Sequence, residues 1–251
     1  MNKKRPSLPL IIGRKPLLEA LLTGAAIEKV FVQKNTTGDE INQIKRLSKE
    51  RDIPMSMVPV EKLNSLTKAQ HQGVVAWTSV IQYIELQEAI SFVIEKGNTP
   101  LFMMLDGVTD VRNVGAIARS ALCCGAQVLI LPTSSTASIT EEAIKTSAGA
   151  LRQILLCRVP STSQAIDTLR LNGIQVFATQ MQGSIPVFEA PLTLPTCIVM
   201  GAEDKGIGNE VKKMADGFIR IPMAGSFDSL NVSVAAGMVL YEALRQRSFN
   251  S

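Results

Sequence analysis

From residue 101 onward the chain repeats one pattern, an apolar run of strand length followed by a segment with helical spacing. Leu101–Leu105, Gln127–Leu131, Leu155–Val159, Gln175–Thr179, Thr196–Met200 and Phe218–Ile221 read as strands. Asn113–Cys124, Thr140–Ala148, Ser163–Asn172, Ile207–Met214 and Asn231–Arg245 read as helices. Strands that are apolar almost throughout have no face to give to water, so both sides of their sheet must be covered. Alternation with helices then predicts an α/β fold around a parallel sheet. In such a sheet ligands bind beyond the carboxyl ends of the strands.

The preceding part reads as a smaller α/β unit. Leu10–Ile12, Val30–Val32, Met55–Val58 and Val74–Trp77 are strand candidates; Lys15–Leu22 and Gly38–Arg51 carry helical apolar faces. The expected organisation is a first domain over 1–79, a connector over 80–85 and a second domain over 86–251, whose first helix is Leu86–Lys96. Residues 1–96 hold 14 Lys/Arg against 10 Asp/Glu, whereas 97–251 hold 12 of each. The whole net charge of +4 therefore sits in the first part. Such an excess suits either a solvated surface or a face that draws in a polyanion.

Several classes are excluded. No run approaches the about 20 apolar residues that span a bilayer. The basic Met1–Pro6 stretch is not followed by a signal-type apolar segment, so a soluble, cytoplasmic protein is expected. Cys123, Cys124, Cys157 and Cys197 form no Cys-x-x-Cys pair and read as small buried hydrophobes in a reducing compartment. The single histidine, His71, leaves little room for a histidine metal site or a Ser-His-Asp triad. It reads as a locally satisfied hydrogen-bonder. No metal is expected. Met103, Met104, Met200 and Met223 read as core residues.

Three loops after strands of the second unit gather unusual residues. The first, Asp106 to Arg119, contains Asn113, which suits a helix N-cap, and Gly115, which permits close backbone approach. Arg119 stands among alanines and must find an anion, either a ligand or an internal partner such as Asp106 or Asp110. The second, Gly201-Ala-Glu203-Asp-Lys-Gly206, places Glu203 in a glycine-rich turn, where it could face a ligand or cap the next helix. The third contains Ser229, Asn231 and Ser233 at a helix start; capping needs only one of them. A helix N-terminus there also favours an anion or a polarised oxygen. Neither the dinucleotide fingerprint nor the phosphate loop is present.

Together, in order and spacing, these blocks resemble the motifs of the SpoU-type RNA ribose 2′-O-methyltransferases, of the knotted methyltransferase superfamily. Ser229-Leu-Asn231-Val-Ser233-Val-Ala is the most specific of them. Ile12-Gly13-Arg-Lys-Pro16-Leu-Leu-Glu19-Ala-Leu and His71-Gln72-Gly73 resemble the small ribosomal-protein-like RNA-binding domain of one branch. That branch methylates a guanosine ribose in 23S ribosomal RNA. The ending Glu242-Ala-Leu-Arg-Gln-Arg is similar to it too. The chain departs from the pattern at Asp110-Val111, where the family usually has Asp-Pro, and at Phe227-Asp228, where small residues are common.

The resemblance implies S-adenosylmethionine as cofactor, held in a deep C-terminal trefoil knot by positions matching Thr179, Gly201, Ile221 and Leu230. It implies a homodimer whose site uses both subunits, ribosomal RNA as partner, and catalytic roles for Arg119, Asn113, Glu203, Ser229 and Asn231. Arginine stays protonated in proteins, so Arg119 is better read as holding a phosphate and stabilising alkoxide charge than as a base. Asn113 would position Arg119 or the ribose, and Glu203 would pair with Arg119 or orient the substrate. A transfer-RNA 2′-O-methyltransferase and a non-catalytic RNA-binding assembly factor are the alternatives.

Overall fold

The computed structural model describes residues 10–78, 81–133, 135–136, 139–224 and 229–249. The basic Met1–Pro6 stretch, the 79/80 domain boundary and the Phe227-Asp228 departure lie outside the described residues. The chain forms two compact units that divide between Gln82 and Tyr83, with the short segment Ile139–Glu141 grouped with the first.

The first unit runs β1 (Leu10–Ile12), α1 (Arg14–Leu22), β2 (Ile27–Gln33), α2 (Asp39–Glu50), β3 (Met55–Val58), α3 (Val60–Leu66) and β4 (Val74–Thr78). Its sheet has the order β1-β4-β2-β3. β4 is antiparallel to both β1 and β2, and β2 is parallel to β3. Strand alternation sends Val30, Val32, Val74 and Ala76 to one face, where they pack with Leu17 and Leu21 of α1 and Ile41 and Ile44 of α2. Phe31 and Val75 point to the other face and meet Leu63 of α3. The sequence reading missed α3, whose seven residues are too few for periodicity to register.

The second unit adds α4 (Leu86–Glu95), β5 (Leu101–Asp106), α5 (Val111–Cys123), β6 (Val128–Pro132), α6 (Glu141–Thr146), β7 (Leu155–Val159), α7 (Thr162–Leu171), β8 (Gln175–Thr179), β9 (Ile185–Pro186), β10 (Thr196–Gly201), α8 (Asn209–Met214), β11 (Gly217–Arg220) and α9 (Val232–Phe249). Its seven strands lie in the order β7-β6-β5-β10-β8-β11-β9, and every pairing is parallel. The expected α/β parallel sheet is therefore what the chain forms. Every residue of β5, β6 and β10 is buried, as apolar-throughout strands require. Phe102, Met104, Val128, Ile130, Cys197 and Val199 share one core with α4, α7 and α8. Alternate residues such as Met103, Leu129 and Ile198 point to the opposite face. On that side α5 and α9 pack against each other, and α9 packs against β10.

Two cysteines fit the expected burial and two do not. Cys157 and Cys197 are buried, and burial pushes both thiols well up from their ordinary range. Cys123 is exposed and Cys124 half-buried, because α5 ends there.

The last turn of α9 is fixed by Arg247. Its guanidinium donates to the carbonyls of Leu192 (2.8 Å), Thr99 (2.9 Å), Pro100 (2.9 Å) and Leu194 (2.7 Å). A planar fork with five donors can serve several carbonyls at once, and an ammonium cannot. Replacing Arg247 by Ala is expected to remove about 2 kcal/mol and lower the melting temperature by about 4–8 °C. Arg247→Lys should recover less than half of that, as read by differential scanning calorimetry.

Candidate active site

The carboxyl ends of four strands converge. Asp106 at the end of β5 lies opposite Gly201 at the end of β10, and Ile219 of β11 lies opposite Thr179 at the end of β8. The turn after β10 closes on itself, with Ala202 and Gly206 exchanging backbone hydrogen bonds at 3.0 and 2.9 Å. That closure explains the glycine at 201. A Cβ there would lie 2.3 Å from the Gly206 carbonyl carbon, so any side chain would break the turn. The buried carboxylate of Asp106 fastens the turn to β5 by accepting from Gly208 N–H at 2.7 Å. It also accepts from Thr162 at 3.3 Å and Ser135 at 3.4 Å.

Glu203 reaches from this turn to two helix starts. Its Oε1 accepts from Asn113 Nδ2 at 3.3 Å, from the backbone N–H of Val232 at 3.0 Å and from Asn231 Nδ2. Asn231 Nδ2 also donates to Asn113 Oδ1 at 3.2 Å. Asn231 Oδ1 accepts from Ser233 N–H at 3.0 Å and so caps α9. Glu203 thus caps the last helix of the chain rather than the helix that follows its own turn. A carboxylate at a helix N-terminus is favoured by the exposed N–H groups and the helix dipole. Glu203 Oε2 accepts no hydrogen bond from any described residue.

Asn113 does not cap α5, contrary to the sequence reading. The cap is Asp110, whose carboxylate accepts from Arg112 N–H at 2.8 Å. The helix begins at Val111, two residues before Asn113, and this frees the Asn113 amide for Glu203 and Asn231. Asp110 also pairs with the Arg112 guanidinium at 2.8 Å, which holds its carboxyl below the usual carboxylate range. Gly115 behaves as expected, since a Cβ there would lie 2.5 Å from the Ala143 carbonyl oxygen.

Neither internal partner considered for Arg119 is used. Asp110 is taken by Arg112, and Asp106 by Gly208, Thr162 and Ser135. Arg119 is exposed and pairs with no acid among the described residues. It sits on α5 six residues beyond Asn113, about 120° around the axis and about 9 Å along it. The chain therefore brings Asn113, Glu203 and Asn231 together and leaves Arg119 apart. Ser229 is exposed and lines the neighbouring cavity.

That cavity, of about 140 Å³, is walled mainly by apolar side chains. Thr179, Ile221 and Leu230 line it, as do Met200, Ile219 and Met223. Three of the four expected cofactor positions are thus gathered, while Gly201 acts one residue away by shaping the turn. The backbone groups of Ile221 and Leu230 bond to no other described residue. Apolar walls beside unpaired backbone donors and acceptors fit an aromatic base with a polar edge. Met200 is buried, as the sequence reading expects, and also lines this space; Met223 lines it too but is only half-buried. Among the described residues no His/Cys/Asp/Glu group could hold a metal, and no helix is long and apolar enough to cross a membrane.

Comparison with known proteins gives the family. Residues 100–241 match the SpoU rRNA Methylase family, and residues 10–83 match the RNA 2′-O ribose methyltransferase substrate binding domain. The chain belongs to the SpoU family of RNA 2′-O-ribose methyltransferases. The Bacillus subtilis (strain 168) protein YacO, named for the TrmH family of tRNA/rRNA methyltransferases, is 33% identical over 95% of this chain and 96% of its own. The AdoMet-bound rRNA methyltransferase of Sinorhizobium meliloti has a similar structure, with a TM-score of 0.60 and 26% identity, covering 96% of this chain and 87% of that one. The TrmH/SpoU tRNA modifying enzyme of A. aeolicus has a TM-score of 0.56 and 30% identity, but covers 66% of this chain and 85% of that one.

The Glu203 junction should be measurable as stability. Glu203→Ala is expected to remove about 1 kcal/mol, or about 2–4 °C in melting temperature, after allowing for its exposure. Amide exchange at Val232 and Ser233 should accelerate. An unchanged melting curve and exchange pattern would show that the carboxylate does not secure the helix start.

Proposed function

We propose that this enzyme transfers a methyl group from S-adenosylmethionine to the 2′-hydroxyl of a guanosine ribose in 23S ribosomal RNA. The observation that carries the reading is the carboxyl-edge cavity beside the Asn113–Glu203–Asn231 cluster. The choice of ribosomal over transfer RNA is supported by coverage, since the rRNA methyltransferase spans 96% of this chain and the tRNA modifying enzyme 66%. Residues 1–79 are assigned to holding RNA, 80–85 to connection and 86–251 to transfer. The strand order supports a deep trefoil knot in the second unit, with β10 entering between β5 and β8. Buried free thiols are in keeping with a reducing, cytoplasmic setting.

Thr179, Ile221 and Leu230 would hold the cofactor, with Gly201 keeping the adjoining turn closed. When bound, S-adenosylmethionine supplies a methyl group already activated by its sulfonium charge. The protein's task is then alignment of the ribose oxygen and care of its proton. Ser229 lines the cavity, and it and Asn231 would bond the ribose beside it. Glu203 keeps Oε2 available to orient it. Arg119 would hold an RNA phosphate and stabilise charge developing on the 2′-oxygen, while the proton leaves through that phosphate or water.

Arg119 stands apart from its own cluster, so the reading includes a homodimer in which one subunit's Arg119 serves its partner's cluster. α9 supports this with an exposed apolar stripe. Val234, Met238 and Tyr241 follow one another at i, i+4 and i+7 and remain 48%, 46% and 60% exposed.

The test is methyl transfer from tritiated S-adenosylmethionine to deproteinised ribosomal RNA, with the label mapped to its nucleotide. Ribose label on a large-subunit guanosine is expected. Arg119→Ala should lower kcat by about 100-fold or more and leave cofactor affinity by calorimetry unchanged. Label found on transfer RNA alone would overturn the ribosomal assignment.

A further inference from the structure

The first unit holds a second cavity, formed wholly by its own residues and open to solvent. It encloses about 460 Å³. That is within the about 300–1,000 Å³ of clefts that take small ligands or single groups. Unlike the carboxyl-edge cavity, its lining is polar: Gln33, Thr36, Asn64, Gln70, His71 and Gln72 contribute to it.

His71 is built into the wall by both ring nitrogens. Its Nδ1 accepts from Gly73 N–H at 3.0 Å, which places the ring proton on Nε2, facing Asn64 Oδ1 at 3.0 Å. With both edges engaged, the ring has only its flat faces left for a ligand. The loop that carries it is held in shape. Gln72 and Gly73 have φ of +51° and +83°, and the Arg14 Nε donates to the Gln72 carbonyl at 2.9 Å. Gly73 also passes close to Thr36, 3.2 Å from where a Cβ would stand.

Gln72 Oε1 accepts from Arg14 N–H at 3.3 Å, whereas other polar groups of the lining have no partner among the described residues. The side chains of Gln33, Thr36 and Gln70 bond to no other described residue, nor does Asn64 Nδ2. The free amides of Gln33 and Gln70, each able to donate and accept, and the Asn64 Nδ2 donor thus line the same cavity as His71. A phosphate is a poor match, because the one guanidinium of the lining, on Arg14, has Glu40 4.0 Å away. A planar base with donors and acceptors along its edge is a good match. RNA offers such bases where they are unpaired and splayed from a helix.

We propose that this cavity binds one unpaired nucleobase of the RNA substrate, stacked on His71 and read at its edge by Gln33, Asn64 and Gln70. The proposal rests on the RNA methyltransferase reading and adds to it a base-reading site in the first unit. The excess of 11 basic over 5 acidic residues in 1–51 supplies the long-range attraction, and the cavity supplies selectivity.

The test uses the full chain and filter binding of labelled, deproteinised large-subunit ribosomal RNA. Asn64→Asp keeps the acceptor that His71 needs but replaces the amide donor with a carboxylate oxygen. Ser65→Asp adds the same charge at the next residue, which does not line the cavity. Gln70→Ala removes one exposed amide. Asn64→Asp and Gln70→Ala should each weaken RNA binding about five- to tenfold with unchanged melting curves, and Ser65→Asp by less than about twofold. If Asn64→Asp is no weaker than Ser65→Asp and Gln70→Ala matches wild type, while wild type binds and methylates RNA, the base-reading site is overturned and the enzyme reading stands. If wild type neither binds nor methylates RNA, the enzyme reading fails and takes this site with it.

Discussion

The carboxylate of Glu203 is the point on which the candidate site depends. One oxygen receives the Asn113 amide, the Asn231 amide and the first N–H of α9. Three elements distant in sequence are thereby fixed at one edge of the sheet. The anchor is two-sided. Ala202 and Gly206 close the turn beneath Glu203, Gly201 leaves room for that closure, and Asp106 fastens the end of the turn to β5 through Gly208. A charged acceptor at a helix start is an economical way to position side chains, because the N–H groups there lack partners within the helix. The other carboxylate oxygen accepts no hydrogen bond from any described residue, which leaves it available for the proposed substrate role.

Much of this was legible in the sequence. Apolar strands alternating with helices gave the parallel sheet, because burial on both faces imposes that composition on strands. Asn113, Glu203 and Asn231 could be singled out as polar residues in loops after strands. What the sequence could not supply was their mutual geometry. The N-cap of α5 moved to Asp110, since its carboxylate reaches Arg112 N–H and also binds the Arg112 side chain. The fate of Arg119 was equally hidden. Pairing with Asp106 or Asp110 was a reasonable expectation until backbone donors and Arg112 took those acids. The mixed sheet of the first unit escaped as well, because strand direction leaves no mark on a run of four or five residues.

The two units divide the labour of a nucleic-acid enzyme by chemistry. The second holds 13 Lys/Arg against 15 Asp/Glu over residues 83–251 and presents an apolar cavity beside a compact hydrogen-bonded cluster. The first holds 13 Lys/Arg against 7 Asp/Glu over residues 1–82 and carries a polar, amide-lined cavity. Charge that draws in RNA acts over a Debye length and needs no exact placement. Methyl transfer needs alignment within a fraction of an ångström, which a buried sheet edge provides better than a mobile surface.

The isolation of Arg119 from the Asn113–Glu203–Asn231 cluster is the feature on which the proposed mechanism turns. If the site is shared between subunits, two inactive variants can repair one another. Co-expressing Arg119→Ala with Glu203→Ala chains and measuring methyl transfer to ribosomal RNA tests this. A shared site in a symmetric dimer predicts about one quarter of wild-type activity, because half of the dimers are mixed and each has one intact site. Activity no higher than that of either variant alone, in a preparation shown to contain mixed dimers, would contradict the account.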